Sequence, residues 1–319
     1  MGRSILITGG NGFVGRHLIS LLQNNGFDLV LALRNIENIR IDLNQPIIRE
    51  FDLSLDENDY SKLFKNIDVV VHLAGIAHKD STSTAKYNQL NAEGTQKLAQ
   101  QASRNGVKRF IFLSTVKVHG ELTSNKFNLA INEKSPLKPQ DDYSKSKLLA
   151  EKLLVQSCSD NKMEYVILRV PLIYGPGVKA NFYNLLKLIS HNIPLPLSHI
   201  MNLRSFLYVE NLCLLIEIII RTPDCKNRVY LVKDYDLSTT DLITKLCTSM
   251  GFIPKLFHVS QKYMEPCARM FNMKSKFDRL FESLVVDDAK IRNELSWQPH
   301  IELDTSLKLT VDWFKNSDL

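Results

Sequence analysis

The sequence predicts an α/β fold, a doubly wound parallel sheet with a smaller C-terminal substrate-binding region. Three observations predict it. A short β-rich run passes through a glycine turn directly into a helical segment at the start of the chain; six strand–helix alternations follow; and the later strands are continuous apolar runs, as expected of parallel strands covered on both faces. The reading divides the chain into a dinucleotide-binding unit at 1–170 plus about 206–232, and a second region at about 171–205 and 233–319.

Ser4–Thr8 is the first strand, and Gly9-Gly10-Asn11-Gly12-Phe13-Val14-Gly15 follows it before the helical periodicity of 16–23. The Gly9, Gly12, Gly15 spacing lets backbone approach a pyrophosphate and aims helix N-terminal amides at its charge. Strand Asp28–Leu33 ends at Arg34, near the position where an NAD-specific unit usually has an acid for the ribose hydroxyls. An arginine there favours a 2′-phosphate, with a surface charge as the competing reading. Ile47–Phe51 leads to Asp52 and Leu53, and the run 68–75 is a buried strand whose small exit residues, Ala74 and Gly75 after Leu73, suit close approach by a cofactor. His72, inside that run, is expected to be a satisfied core histidine, because no matching ligand cluster accompanies it.

A helix is predicted over 91–101, and Arg109–Thr115 is a buried strand carrying Ser114 and Thr115 at the carboxyl end, where doubly wound sheets bind ligands. After a loop from Gly120 to Gln140, a helix is predicted from Tyr143 to about Cys158, then a strand over 165–170. Tyr143 and Lys147 are four apart, so they share a helix face, and an ammonium beside the phenol would favour its ionised form. Beyond Pro171 the alternation loosens: helices are predicted at 181–189, 211–221 and 304–315, and strands at 203–209 and 228–232.

Composition narrows the function classes. The formal charge of +6 is scattered along 319 residues and mixed with acids, so no nucleic-acid-binding stripe is expected, whereas a phosphorylated small substrate fits. Cys158, Cys213, Cys225, Cys247 and Cys267 are widely spaced and odd in number, which argues against a disulfide framework or a metal site and for packing roles in a reducing compartment. The most apolar segment, 212–220, is short and interrupted by Glu217, so no membrane span is expected. With no signal-peptide pattern before the first strand, a cytoplasmic location is expected.

Taken together, Gly9-x-x-Gly12-x-x-Gly15, the Ser114–Thr115 strand end and Tyr143-x-x-x-Lys147 resemble an extended short-chain dehydrogenase/reductase, with a Rossmann dinucleotide-binding domain. More narrowly, the chain is similar to nucleotide-sugar epimerases and dehydratases. The similarity extends through Asn91-Ala92-Glu93-Gly94-Thr95, the strip 172–177 and Trp297-Gln298-Pro299. The resemblance implies that Tyr143 exchanges the proton on the substrate oxygen. It also implies that Lys147 holds the nicotinamide ribose and depresses the tyrosine pKa, and that Thr115, rather than Ser114, hydrogen-bonds that oxygen. It assigns Gly9, Gly12, Phe13, Val14, Gly15, Arg34, Asp52, Leu53, Leu73, Ala74, Gly75, Asn91, Ser114 and Pro171 to the cofactor, alongside Tyr143 and Lys147. It gives Lys117, Asn181, Arg204 and Arg279, with Thr115, to a UDP-sugar, and it implies a homodimer.

The departures matter as much. Sugar 4,6-dehydratases place Asp-Glu directly after the Ser-Thr pair, whereas Val116 and Lys117 stand here, so loss of water is not expected and hydride chemistry at C4 remains. His119 replaces a common Tyr or Asn. The strip 114–121 is most similar to a subgroup acting on UDP-linked N-acetylamino sugars. Two activities stay open: reduction of UDP-4-keto-6-deoxy-N-acetylglucosamine to UDP-N-acetylquinovosamine for surface polysaccharide, and 4-epimerisation of UDP-glucose or UDP-N-acetylglucosamine. Arg34 favours the reductase, with NADP(H) as cofactor and NAD(H) as the alternative. A non-catalytic nucleotide-binding protein is the remote third reading.

Overall fold

Seven parallel strands form the central sheet: β1 (Ser4–Thr8), β2 (Asp28–Leu33), β3 (Ile47–Glu50), β4 (Val69–His72), β5 (Arg109–Thr115), β6 (Glu164–Val170) and, later in the chain, β9 (Arg228–Leu231). The computed structural model describes residues 3–34, 46–53, 59–76, 83–121, 130–159, 163–270, 277 and 280–317. The spatial order β3-β2-β1-β4-β5-β6-β9 reverses direction between β1 and β4, which opens a crevice at their carboxyl ends. Alternate strand residues enter opposite layers: Ile5 and Ile7 pack on one face of the sheet, Leu6, Val70 and Phe112 on the other.

The flanking helices are α1 (Phe13–Asn24), α2 (Tyr60–Leu63), α3 (Thr84–Tyr87), α4 (Gly94–Arg104), α5 (Asp142–Ser159), α6 (Ala180–Ser190), α7 (Val209–Arg221), α8 (Thr239–Met250), α9 (Gln261–Met270), α10 (Ala289–Leu295) and α11 (Leu303–Ser317). The helix expected from Asn91 begins earlier. Ser83 caps α3 by accepting from Lys86 N, a wide π turn spans Asn88–Glu93, and α4 continues from Gly94. Gly94 is required because a Cβ there would stand 2.7 Å from Leu53 Cγ.

A second sheet joins β7 (Leu172–Tyr174), β8 (Arg204–Tyr208) and β10 (Tyr235–Leu237) in the order β10-β8-β7. Residues 206–208, expected in the dinucleotide unit, therefore pair in the small sheet, with Leu172 opposite Phe206, while β9 joins the large one. The rings of Tyr174, Phe206 and Tyr208 hold this sheet together at centroid separations of 5.5 to 6.5 Å. One hydrophobic core runs from Ile5 and Leu31 through Tyr174 and Leu207 to Val311 and Phe314, so both sheets share it. Cys158, Cys213, Cys225 and Cys247 are free and buried, as expected of packing residues; the Cys267 side chain lies outside the described residues. Among the described residues, no helix is long and apolar enough to cross a membrane.

Candidate active site

The crevice begins at the glycine turn. Gly9 has φ +73°, and a Cβ there would lie 2.7 Å from Ala74 N; one on Gly15 would lie 2.3 Å from Gly9 O. Only hydrogen fits at either place, so β1, α1 and the exit of β4 close to backbone contact. Gly12 caps α1 without any side chain bonded to the first amides, and the first turn holds no acid. Those open N–H groups fit the diphosphate of a dinucleotide. Phe13 and Val14 follow. The ring of Phe13 meets His17 edge-on and lies near Gly177, while His17 Nε2 bonds Pro176 O at 2.8 Å, which joins the glycine turn to the strip after β7.

The β4 exit is held by a directional chain of hydrogen bonds. Ala74 N donates to Thr8 Oγ1 (3.2 Å), which contacts His72 Nδ1 (2.7 Å); His72 Nε2 meets Thr95 Oγ1 (3.0 Å), and Thr95 donates to Asn91 O (2.6 Å). A neutral imidazole satisfies every link, and burial first, then the Lys147 charge, lowers the His72 pKa to about 3. His72 is thus the core histidine expected from sequence. Asn91 uses both ends of its amide: Oδ1 accepts from Ile76 N (2.8 Å), and Nδ2 donates to Ile76 O and to Ser146 Oγ, each at 3.1 Å. It fastens the loop after Gly75 to α5 one residue before Lys147.

Lys147 is buried, donates to Leu113 O at 2.8 Å and lies 4.3 Å above the Phe112 ring. A Cβ on Gly75 would stand 3.7 Å from its Nζ. The glycine turn, β4 exit, Asn91, Lys147 and the end of β5 therefore form one contiguous surface, and Tyr143 lies one turn before Lys147 on α5. Burial lowers the Lys147 pKa to about 8, opposed by Glu151.

One sequence expectation is corrected here. The Tyr143 phenol is pushed well above its ordinary value, first by burial and then by Asp141 and Tyr87, so it is neutral at physiological pH rather than ionised. The ring of Tyr87 is 6.3 Å away, and Asp141 is held at about 2, against its burial, by bonds from Ser144 and the Lys117 ammonium.

The two hydroxyls of β5 separate cleanly. Ser114 Oγ donates to Glu151 Oε1 at 2.5 Å inside the protein, so its side chain turns away from the crevice and any cofactor contact would be through backbone. Thr115 Oγ1 caps the 3₁₀ turn Val116–His119 by accepting from Lys117 N at 3.3 Å, leaving its own proton to donate. Lys117, expected at the substrate, sends its ammonium to Glu121 (2.7 Å) and Asp141 (3.1 Å). His119, which stands where Tyr or Asn is common, is buried: Nδ1 faces the Ser135 and Pro136 carbonyls and Nε2 meets Arg169 Nη1 at 2.9 Å.

The remaining residues are spread around this centre. Arg34 is exposed just beyond β2, and Leu53, next to Asp52, packs on Gly94. Pro171 is buried between β6 and β7. Asn181 is exposed in the first turn of α6, and Arg204 opens β8 with Nη1 donating to Glu282 O at 3.1 Å. Arg279 lies outside the described residues. Among the described residues no cluster of His, Cys, Asp and Glu could hold a metal. Sequence reasoning missed Glu151 and Arg169; their only trace was a charged residue on the apolar side of a helix and another within an apolar strand.

The NAD dependent epimerase/dehydratase family matches residues 5–232. The chain belongs to this family. It is 36% identical over 323 residues to a UDP-glucose 4-epimerase of Vibrio cholerae, covering 98% of this chain and 96% of that one. It is 29% identical over 256 residues to the N-acetyl-alpha-D-glucosaminyl-diphospho-ditrans,octacis-undecaprenol 4-epimerase of Escherichia coli O157:H7, covering 79% of this chain and 73% of the relative. Among solved structures, the UDP-glucuronic acid 4-epimerase of Bacillus cereus in complex with NAD superposes with a TM-score of 0.77 at 24% identity, covering 98% of this chain and 96% of that one, and supports the fold.

Proposed function

We propose that this protein is an NAD-dependent 4-epimerase of a UDP-linked hexose or N-acetylhexosamine. The observation that carries the reaction class is the wall after Thr115: Val116 is buried and apolar, and the Lys117 ammonium is committed to Glu121 and Asp141. Neither can act as acid or base for loss of water, so the chemistry narrows to the C4 oxygen facing Thr115 and Tyr143. The 36% identity to a UDP-glucose 4-epimerase along nearly the whole chain supports epimerisation within that class.

When bound, the nicotinamide supplies hydride acceptance and return. The chain's own residues handle the proton and the oxygen. Thr115 donates to O4 and stabilises charge developing there. Tyr143 takes the O4 proton and gives it back. Because the phenol is neutral at rest, Tyr143 must first release its proton to solvent, and Lys147 is the neighbouring cation that stabilises the phenolate once it exchanges its bond to Leu113 O. The open amides at Phe13 and Val14 hold the dinucleotide diphosphate, and Arg204 with Asn181 holds that of the UDP-sugar. The pair of helices α4 and α5 is the proposed homodimer face, which light scattering would test.

A second reading, a 4-ketoreductase forming UDP-N-acetylquinovosamine, is favoured by Arg34, whose exposed place beyond β2 suits a 2′-phosphate, and by the neutral phenol, which already carries the proton that a reduced C4 oxygen must receive. The deciding experiment offers purified protein UDP-glucose, UDP-N-acetylglucosamine and UDP-4-keto-6-deoxy-N-acetylglucosamine, and follows epimers by NMR and NADH and NADPH absorbance at once. Interconversion of intact UDP-sugars without net cofactor change is expected. Stoichiometric NADPH loss with the keto sugar alone would replace the epimerase reading with the reductase.

A further inference from the structure

We infer that Glu151 is a positioning residue for this site, the common anchor between the strand that carries Thr115 and the helix that carries Tyr143 and Lys147. The inference rests on the reading of those three as the reacting set. Glu151 is one turn after Lys147 on α5, so the two share a face. From that face two bonds reach adjacent residues of β5: Lys147 Nζ donates to Leu113 O at 2.8 Å, and Glu151 Oε1 accepts from Ser114 Oγ at 2.5 Å. The helix is thereby bolted to the strand end immediately before Thr115.

The carboxylate is itself fixed from behind. Arg169 on β6 donates to Glu151 Oε2 at 2.6 Å through Nη2, and its Nε reaches both oxygens at 3.1 and 3.2 Å. Its Nη1 meets His119 Nε2, and His119 Nδ1 faces the Ser135 and Pro136 carbonyls. With Nδ1 donating and Nε2 accepting, every bond along this line is satisfied by a neutral His119. Both members of the ion pair are almost fully buried, at 7% and 4% exposure, where a removed partner is costly and geometry is held tightly.

Glu151 also supplies the negative charge that offsets the burial of the Lys147 ammonium. The other groups around Lys147 are Tyr143 on its own helix and His72 on β4, both neutral at pH 7, with Arg169 on β6 already paired to Glu151. A neutral isostere at position 151 should therefore free the Lys147 proton at lower pH while keeping much of the packing.

The test is Glu151→Gln. In cofactor-free protein carrying lysine labelled with ¹³C at Cε, with Lys147→Arg for assignment, the Lys147 resonance is expected to titrate about one pH unit lower than in wild type. In parallel, kcat is expected to fall roughly 10- to 100-fold with KM changed little, and the alkaline limb of the pH profile should move down with the resonance. A Lys147 titration that does not move, with any loss of kcat matched only by a lower Tm, would overturn the proposal. Because the resonance is read without substrate, it decides the role of Glu151 even if the epimerase assay fails. Should Glu151→Gln not fold, Ser114→Ala leaves the Glu151–Arg169 pair intact: faster amide exchange at 113–117 and a lower kcat are expected, and no change in either overturns the anchor.

Discussion

Two arginine–glutamate pairs bind β5 and its neighbours at opposite ends of the sheet, and they are built for different ends. At the amino end Arg109 stands opposite Glu164 on β6 and pairs with it at 2.7 Å, then sends its other donors to the carbonyls of Ile219, Thr222 and Pro223 where α7 finishes. At the carboxyl end Arg169, opposite Ser114, pairs with Glu151 on the helix that bears Tyr143 and Lys147. The first ties a helix terminus to the amino ends of β5 and β6; the second ties together the groups that would touch substrate. Charge pairing in a core has no meaning by itself, and what the cation's remaining donors and the carboxylate's remaining oxygen touch decides the role.

The largest effect is expected at the carboxyl end. Tyr143→Phe should lower kcat by roughly 10²- to 10⁴-fold, the scale of a lost general acid–base, with UDP-sugar binding retained by calorimetry. Full turnover in this variant would remove the contrast between the two ends. Arg109→Met should do the reverse, costing about 3 kcal/mol in denaturant unfolding while kcat per folded molecule stays at the wild-type value.

Another buried carboxylate sharpens the comparison because it has no arginine bonded to it. Asp234 accepts from Tyr208 N (2.7 Å) and Asn211 Nδ2 (2.9 Å), its Oδ1 has no hydrogen-bond partner among the described residues, and burial raises its pKa to about 7. The folded state therefore holds this proton more tightly than the unfolded chain does. Its contribution to stability is full below the ordinary Asp value and is lost as pH rises through about 7. Tm is expected to fall between pH 5 and pH 8, and Asp234→Asn should flatten that decline; an equally steep decline in the variant would remove Asp234 as the cause. The smallest effect belongs to Arg34→Ala, which should reduce any NADPH-over-NADH preference by about tenfold or less. A wild type with no such preference would leave Arg34 as a surface charge.

How much of this was legible in the sequence follows from how local each feature is. Buried parallel strands are continuous apolar runs, so β2 and β5 were readable to the residue, and the glycine spacing announced the close approach of β1, α1 and β4. Thr115, Tyr143 and Lys147 were singled out from their order and spacing together with the family resemblance. The state of the phenol was not, because the Tyr143-x-x-x-Lys147 spacing says nothing about burial or about the Leu113 carbonyl that takes the ammonium. Nor was the sheet that β8 joins legible, because it is decided by distant partners, here Leu172 and Tyr235. Glu151 and Arg169 escaped notice since each is an ordinary charged residue until the fold brings them together.

The wide turn Asn88–Glu93 holds the length of one additional residue between α3 and α4. Each residue of an α-helix turns the chain by ~100°, so excising one here would regularise the hydrogen bonds while rotating everything before the cut by about that angle relative to Thr95 and α4. Asn91 could not then meet both Ile76 and Ser146. For anyone redesigning this scaffold, the irregular turn is a phase setting between two helices, and smoothing it for stability would put the loop after Gly75 out of step with α5.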